Sequence, residues 1–115
     1  MPAKTINGIS FSADFANTTY DWANMQDTYS YDKYTGSAAD KAVGTLMYHI
    51  GVAVDMNYGQ LNSGGSGAST HTLAIRLAET FKYDKGIMYK NRSSYTVQDW
   101  EDLIYSELKE RRPVL

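Results

Sequence analysis

Gly51-Val52-Ala53-Val54-Asp55-Met56-Asn57-Tyr58-Gly59 lies in the middle of the chain, and Asn62-Ser63-Gly64-Gly65-Ser66-Gly67-Ala68-Ser69 follows it almost at once. The first stretch reads as a helical segment running out into an apolar, β-branched end. The second reads as a glycine-serine loop that feeds another helix. Everything else in the chain is placed by reference to this helix–loop–helix step.

Upstream, Ser37 with Asp40 three residues on makes an approximate capping box and predicts a helix start. Val43, Met47, Ile50 and Val54, flanked by Leu46 and Ala53, recur at spacings of four and three and form one apolar stripe. Downstream, Ser66 or Ser69 can serve as N-cap of the second helix, whose apolar face is Leu73, Leu77 and Phe81 with Ala74 and Ala78. Asp84-Lys85-Gly86 reads as a turn and Ile87-Met88-Tyr89 as a short strand stub. A third helix starts at Thr96 with Asp99 in the box position, and its buried side is expected to be Val97, Trp100, Ile104 and Leu108, helped by Leu103. Acids near its start (Asp99, Glu101, Asp102) and cations near its end (Lys109, Arg111, Arg112) suit the helix dipole.

At the N-terminus, Asn7-Gly8 between Thr5-Ile6 and Ile9-Ser10-Phe11 is a two-residue hairpin signal. Residues 17–34 show no sustained period and read as a long ordered loop carrying Trp22. Arg112-Pro113-Val114-Leu115 reads as a helix end, a breaker and a second strand stub, so the chain looks cut on entering a strand. The expected fold class is therefore α+β and helix-rich, with three main helices, a small N-terminal β-hairpin and strand stubs at Ile87 and Val114. Residues 1–115 form a single domain or a fragment of one.

Composition narrows the function classes. A net charge of -2 gives no basis for nucleic-acid or anionic-membrane partners, and no stretch is apolar for long enough to span a bilayer. The chain contains no cysteine, which removes disulfides, thiol catalysis and thiolate metal sites. Met1-Pro2-Ala3-Lys4 carries no charged-then-apolar signal pattern, so the chain as written is expected to stay where it is made.

Few residues carry chemistry. His49 sits inside the first helix and His71 in the first turn of the second, without zinc-motif spacing. Both read as ordinary helix histidines, and no metal or cofactor is expected. The glycine-serine loop leads into a helix N-terminus, which favours anions, but it lacks the phosphate-loop lysine and the dinucleotide glycine pattern. It reads equally as a flexible connector. Ser66 lacks the full nucleophile elbow and has no histidine placed for it. Asp14, Asp21, Asp27, Asp32 and Asp40 show no calcium-loop spacing, and they read as solvated acids rather than a catalytic pair. Tyr20, Trp22, Tyr29, Tyr31 and Tyr34 either line a sugar or peptide groove or pin the long loop to the core.

Three blocks, in this order, are Tyr20-Asp21-Trp22 through Tyr29-Ser30; Leu46-Met47 through Val52–Gly59 into Gly65–Ser69; and Asn91-Arg92-Ser93 with Gln98–Glu101, Glu107-Leu108 and Arg112-Pro113-Val114. They resemble the central part of streptopain-like secreted bacterial cysteine peptidases, a branch of the papain-like enzymes. The resemblance covers almost the whole chain from Tyr20 onward. It implies a parent in which a cysteine thiolate attacks the peptide carbonyl and a histidine moves the proton. In that family the cysteine lies upstream of such a segment and the histidine downstream, in a Gly-His-Ala-Phe-like strand. Neither His49 nor His71 matches it. The positions that carry over are Ser66, with Gly65 and Gly67, in the loop bordering the substrate cleft.

The resemblance thus implies the central segment of a secreted peptidase, inactive alone, with peptide or protein substrates in the intact parent and self-association through unpaired strand edges as a hazard. The alternative is a self-contained noncatalytic module that binds peptides or a peptidase. A weaker third reading is an unrelated hydrolase using Ser66 or an acid pair.

Overall fold

The hairpin forms because Asn7 and Gly8 both accept positive φ, at 50° and 78°, as a tight two-residue turn requires. It joins β1 (Lys4–Ile6) to β2 (Ile9–Phe11), antiparallel, with Lys4 opposite Phe11, Thr5 opposite Ser10 and Ile6 opposite Ile9. Three helices follow: α1 (Ala38–Ala53), α2 (Thr70–Thr80) and α3 (Val97–Lys109). A computed structural model describes residues 3–30 and 33–115. Tyr31 of the aromatic set and Asp32 of the acidic set therefore lie outside the described residues.

The capping expectations for α1 and α3 hold. Ser37 accepts the Asp40 N–H at 3.2 Å while the Asp40 carboxylate reaches back to the Ser37 N–H at 3.4 Å. Thr96 accepts the Asp99 N–H at 3.1 Å and donates its hydroxyl to the Asp99 carboxylate at 2.7 Å.

Helix α1 is the centre of the fold, and the expected stripe is covered along its length except at Met47. Met47 is 64% exposed. The covered positions are Ala42, Gly51, Ala53 and Val54, with Val43, Leu46, His49, Ile50 and Val52 half-buried. The cause is aromatic. Phe15 and Tyr20 from the long loop meet His49 edge-on at 5.6 and 5.7 Å, and Phe81 beyond the end of α2 meets the same two rings at 5.9 and 6.1 Å. This cluster draws the His49 side of α1 inward and turns Met47 out.

The hairpin is tied to the other side of α1. Phe11 stacks on Tyr58 at 4.7 Å, the Tyr48 hydroxyl exchanges hydrogen bonds with the backbone of Ser12 at 3.1 Å in each direction, and Lys4 pairs with Asp55 at 2.9 Å.

Helix α3 departs from expectation. It makes no extensive contact with α1 or α2. Val97 and Leu108, expected inside, are 62% and 56% exposed, while Trp100, Leu103 and Ile104 are only half-buried. Trp100 rests on its own approach segment, against Tyr95 at 5.6 Å and the Arg92 guanidinium at 5.8 Å. The radius of gyration, 16.9 Å, exceeds the roughly 13 Å of a compact domain of this length, in keeping with a helix that extends from the rest. Residues 87–89 and 113–115 form no ladder among the described residues, so the two stubs stand without strand partners.

Candidate functional site

Residues 59–67 form a loop drawn closed at its neck. The Asn57 N–H donates to the Gly67 carbonyl at 2.9 Å, and the Gly67 N–H donates to the Asn57 carbonyl at 3.0 Å, an isolated antiparallel bridge. Inside it, the Gln60 carbonyl accepts the N–H groups of Ser63 and Gly65 at 3.0 and 2.9 Å and the Ser63 hydroxyl at 3.0 Å. The chain reverses through Gly64 and Gly65, at φ 100° and 73°, values that a β-carbon disfavours. Gly59 is glycine for another reason: a β-carbon there would strike the Gly65 carbonyl.

Ser66 bonds across the neck of the loop rather than at the start of α2. Its hydroxyl accepts the Gly59 N–H at 3.2 Å and lies 3.4 Å from the Gly59 carbonyl. It does not cap α2. That position is Ser69, whose side chain makes no capping bond. The loop that looked like a flexible connector is instead internally bonded, and Ser66 and Gly67 remain exposed at its surface while Gly65 is half-buried.

The other candidates are dispersed. His49 Nδ1 is 3.1 Å from the Tyr20 hydroxyl within the aromatic cluster, and burial pushes the Tyr20 phenol above its ordinary range. His71 faces Tyr89 at 5.2 Å. Among the described residues, Ser66 is bonded only to the Gly59 backbone and neither histidine is hydrogen-bonded to it, so none of them stands ready as its base. Asp14 holds Asn17 at 2.7 Å, Asp21 caps the turn at Trp22–Asn24, and Asp40 caps α1. Each of these three acids has a local structural partner.

Within the aromatic set, Tyr20 is the anchor and Trp22, 63% exposed, leans on it at 5.7 Å. Tyr29 donates to the Ala39 carbonyl at 3.2 Å, tying the loop to the start of α1. Tyr34 is exposed. The described members pin the loop more than they line a groove.

Comparison with known proteins adds what this geometry alone does not supply. The profile of the Peptidase C10 family matches residues 3–115. The chain belongs to that family. It is 35% identical over 102 residues to streptopain of Streptococcus pyogenes, covering 89% of this chain and 24% of streptopain. It is 33% identical over 121 residues to the thiol protease/hemagglutinin PrtT of Porphyromonas gingivalis, covering 14% of that protein. Among solved structures, the active cysteine protease interpain A of Prevotella intermedia matches with a TM-score of 0.79 at 46% identity, over 96% of this chain and 44% of the interpain chain. A prointerpain A fragment matches with a TM-score of 0.78 at 47% identity, over 90% of this chain and 32% of that one. The chain is thus a streptopain-like cysteine peptidase segment spanning about a quarter of its curated streptopain relatives, and its fold is that of part of a papain-like peptidase.

Proposed function

We propose that this chain is the central segment of a secreted C10 cysteine endopeptidase and supplies core helices and one wall of the substrate cleft. The observation that carries this is the closed glycine-serine loop. Gly65, Ser66 and Gly67 are held at fixed positions by the Asn57–Gly67 bridge and the Ser66–Gly59 contact, yet Ser66 stays open to solvent. A preorganised loop with accessible polar groups suits binding of a peptide backbone, since little ordering entropy is lost on contact. Supporting the segment reading, the apolar face of α3 is left largely uncovered, as a surface meant for further peptidase structure would be.

In the intact enzyme the reaction is acyl transfer to a cysteine thiolate followed by hydrolysis. This chain has no cysteine, and among the described residues no base is hydrogen-bonded to Ser66, so neither a thiolate nor an activated serine is supplied by them. The test has two arms. The purified chain is incubated with casein and fluorogenic peptides, and no turnover is expected. Turnover that vanishes in Ser66→Ala would replace this reading with serine chemistry. The segment is then spliced into interpain A in place of its counterpart. The chimera should retain peptidase activity, and Ser66→Ala within it should raise KM. A chimera whose kinetics ignore Ser66→Ala removes the cleft assignment.

A further inference from the structure

Gly59 stands at the mouth of the closed loop, and it is glycine for steric reasons alone. Its φ is not positive, so its backbone conformation suits any residue, yet a β-carbon there would strike the Gly65 carbonyl. Backbone lies against backbone at this point, so no side-chain rotation can relieve the collision. Either residues 57–59 must move or residues 64–66 must.

The two sides are not equally held. The run leading into Gly59 is fixed to the body of the protein. Lys4 holds Asp55 through its carboxylate at 2.9 Å and its carbonyl at 3.1 Å. The Met56 N–H donates to the Gly51 carbonyl at 2.9 Å. The Tyr58 ring stacks on Phe11 of the hairpin at 4.7 Å, and its hydroxyl fills the space over Gly51. On the loop side, among the described residues, every hydrogen bond of residues 60–66 stays within 59–66. The turn at Leu61–Ser63 is exposed and makes no extensive contact with any other element. Exposed hydrogen bonds that water can replace restrain a segment less than a packed ring stack does. A side chain at position 59 would therefore displace the loop and leave residues 56–58 where they are.

We propose, resting on the cleft reading above, that Gly59 is a positioning residue for the substrate cleft. The missing side chain lets residues 64–66 lie directly against Gly59, and that contact sets how far Gly65, Ser66 and Gly67 stand toward a bound peptide. The restraint runs from Phe11 through Tyr58 to Gly59, and from there across the backbone contact to Gly65 and Ser66. Gly59 acts through those residues and not by a contact of its own with the peptide.

The experiment has one arm in the whole chain and one in the interpain A chimera. In the whole chain, Gly59→Ala should shift the NMR amide signals of residues 63–67 and speed exchange at the Asn57 and Gly67 amides, with α1 and α2 unchanged. In the chimera, Gly59→Ala should raise KM at least about fivefold while kcat changes less than about twofold, a split that general loss of folded enzyme would not give. Adding Ser66→Ala should raise KM little further, because both changes act on one loop. Gly44→Ala, at an exposed position of α1 where a β-carbon meets nothing, should leave KM unchanged. If the Gly59→Ala protein fails to fold, Phe11→Leu tests the same relay from its far end: losing the ring stack should raise KM about twofold with kcat kept. An unchanged KM there overturns the proposal. It also falls, with the cleft reading intact, if Ser66→Ala raises KM and Gly59→Ala does not, or if the Gly59→Ala shifts gather at Phe11, Gly51 and Tyr58 instead of the loop. If neither Ser66→Ala nor Gly59→Ala changes KM, the cleft reading falls and this proposal with it.

Discussion

The Ser66 hydroxyl closes on the backbone of Gly59, taking its N–H at 3.2 Å and approaching its carbonyl at 3.4 Å. Together with the Asn57–Gly67 bridge, this pins the base of the loop from two directions. Ser66→Ala removes only the side-chain half. Water can replace the lost bonds at so exposed a site, so the stability loss should be small, about 0.5 kcal/mol, the low end for a hydrogen bond. The local effect should be clearer: faster hydrogen exchange at the Gly59 amide, with unchanged helical circular dichroism. Global destabilisation beyond about 2 kcal/mol would give Ser66 a structural weight that its two contacts do not account for.

Gly51 and Tyr58 form a tighter pair. Gly51 is buried, and the Tyr58 hydroxyl occupies the space where a β-carbon on residue 51 would stand. That hydroxyl is itself buried and finds no hydrogen-bond partner among the described residues. Gly51→Ala should therefore cost about 1–3 kcal/mol through overpacking. Tyr58→Phe should be nearly neutral or slightly stabilising, because it deletes an unpaired buried polar group while keeping the stacking on Phe11. The double variant should recover part of the loss. A double-mutant cycle by chemical denaturation checks this, and strictly additive energies would show that the two side positions do not meet.

The start of α1 should be acid-sensitive. The Asp40 carboxyl is held below the ordinary aspartate range, first by hydrogen bonds from the Thr35 hydroxyl and N–H and then by those from Ser37. A depressed folded pKa means that the stabilisation is complete above the unfolded value and is lost as pH falls through the folded one. Between neutral pH and the ordinary carboxylate range the cap should not change. Below that range the first turn should fray, read as faster exchange at Lys41 and Ala42. Asp40→Asn should remove the pH dependence. An Asp40 carboxyl that titrates by NMR above the ordinary range would contradict the capping account.

How much of this was legible depended on how local the cause was. Caps and turns were readable because their partners lie within a few residues: Ser37 with Asp40, Thr96 with Asp99, Asn7 with Gly8. Gly65, Ser66 and Gly67 were legible as a loop from their glycine-serine run. The contact to Gly59 was not, because a hydroxyl facing backbone leaves no pattern in residue types. The α1 stripe was legible except at Met47, and that exception has the opposite reason. Period gives a face, but Phe15, Tyr20 and Phe81, distant in sequence, decide which edge of it is covered. In α3 the period was right and the partner was absent. Val97 and Leu108 lie on an apolar face that neither α1 nor α2 covers.

That difference sets the last prediction. If Trp100 were buried between helices, Trp100→Ala would cost about 3–5 kcal/mol. Its actual neighbours are Tyr95 and Arg92, both on the approach to its own helix, and the ring is only half-buried. The loss should therefore be about 1–2 kcal/mol, made up of one aromatic pair, one cation–π contact and partial burial. The damage should stay local. Because α3 makes no extensive contact with α1 or α2, exchange should quicken in residues 92–104 while the Tyr20–His49 cluster keeps its protection. Arg92→Ala should reproduce a part of the effect, since it removes the cation from the same ring. Residue-resolved exchange on the two variants decides the matter: uniform loss of protection across α1, α2 and α3 would mean that Trp100 braces the whole fold after all.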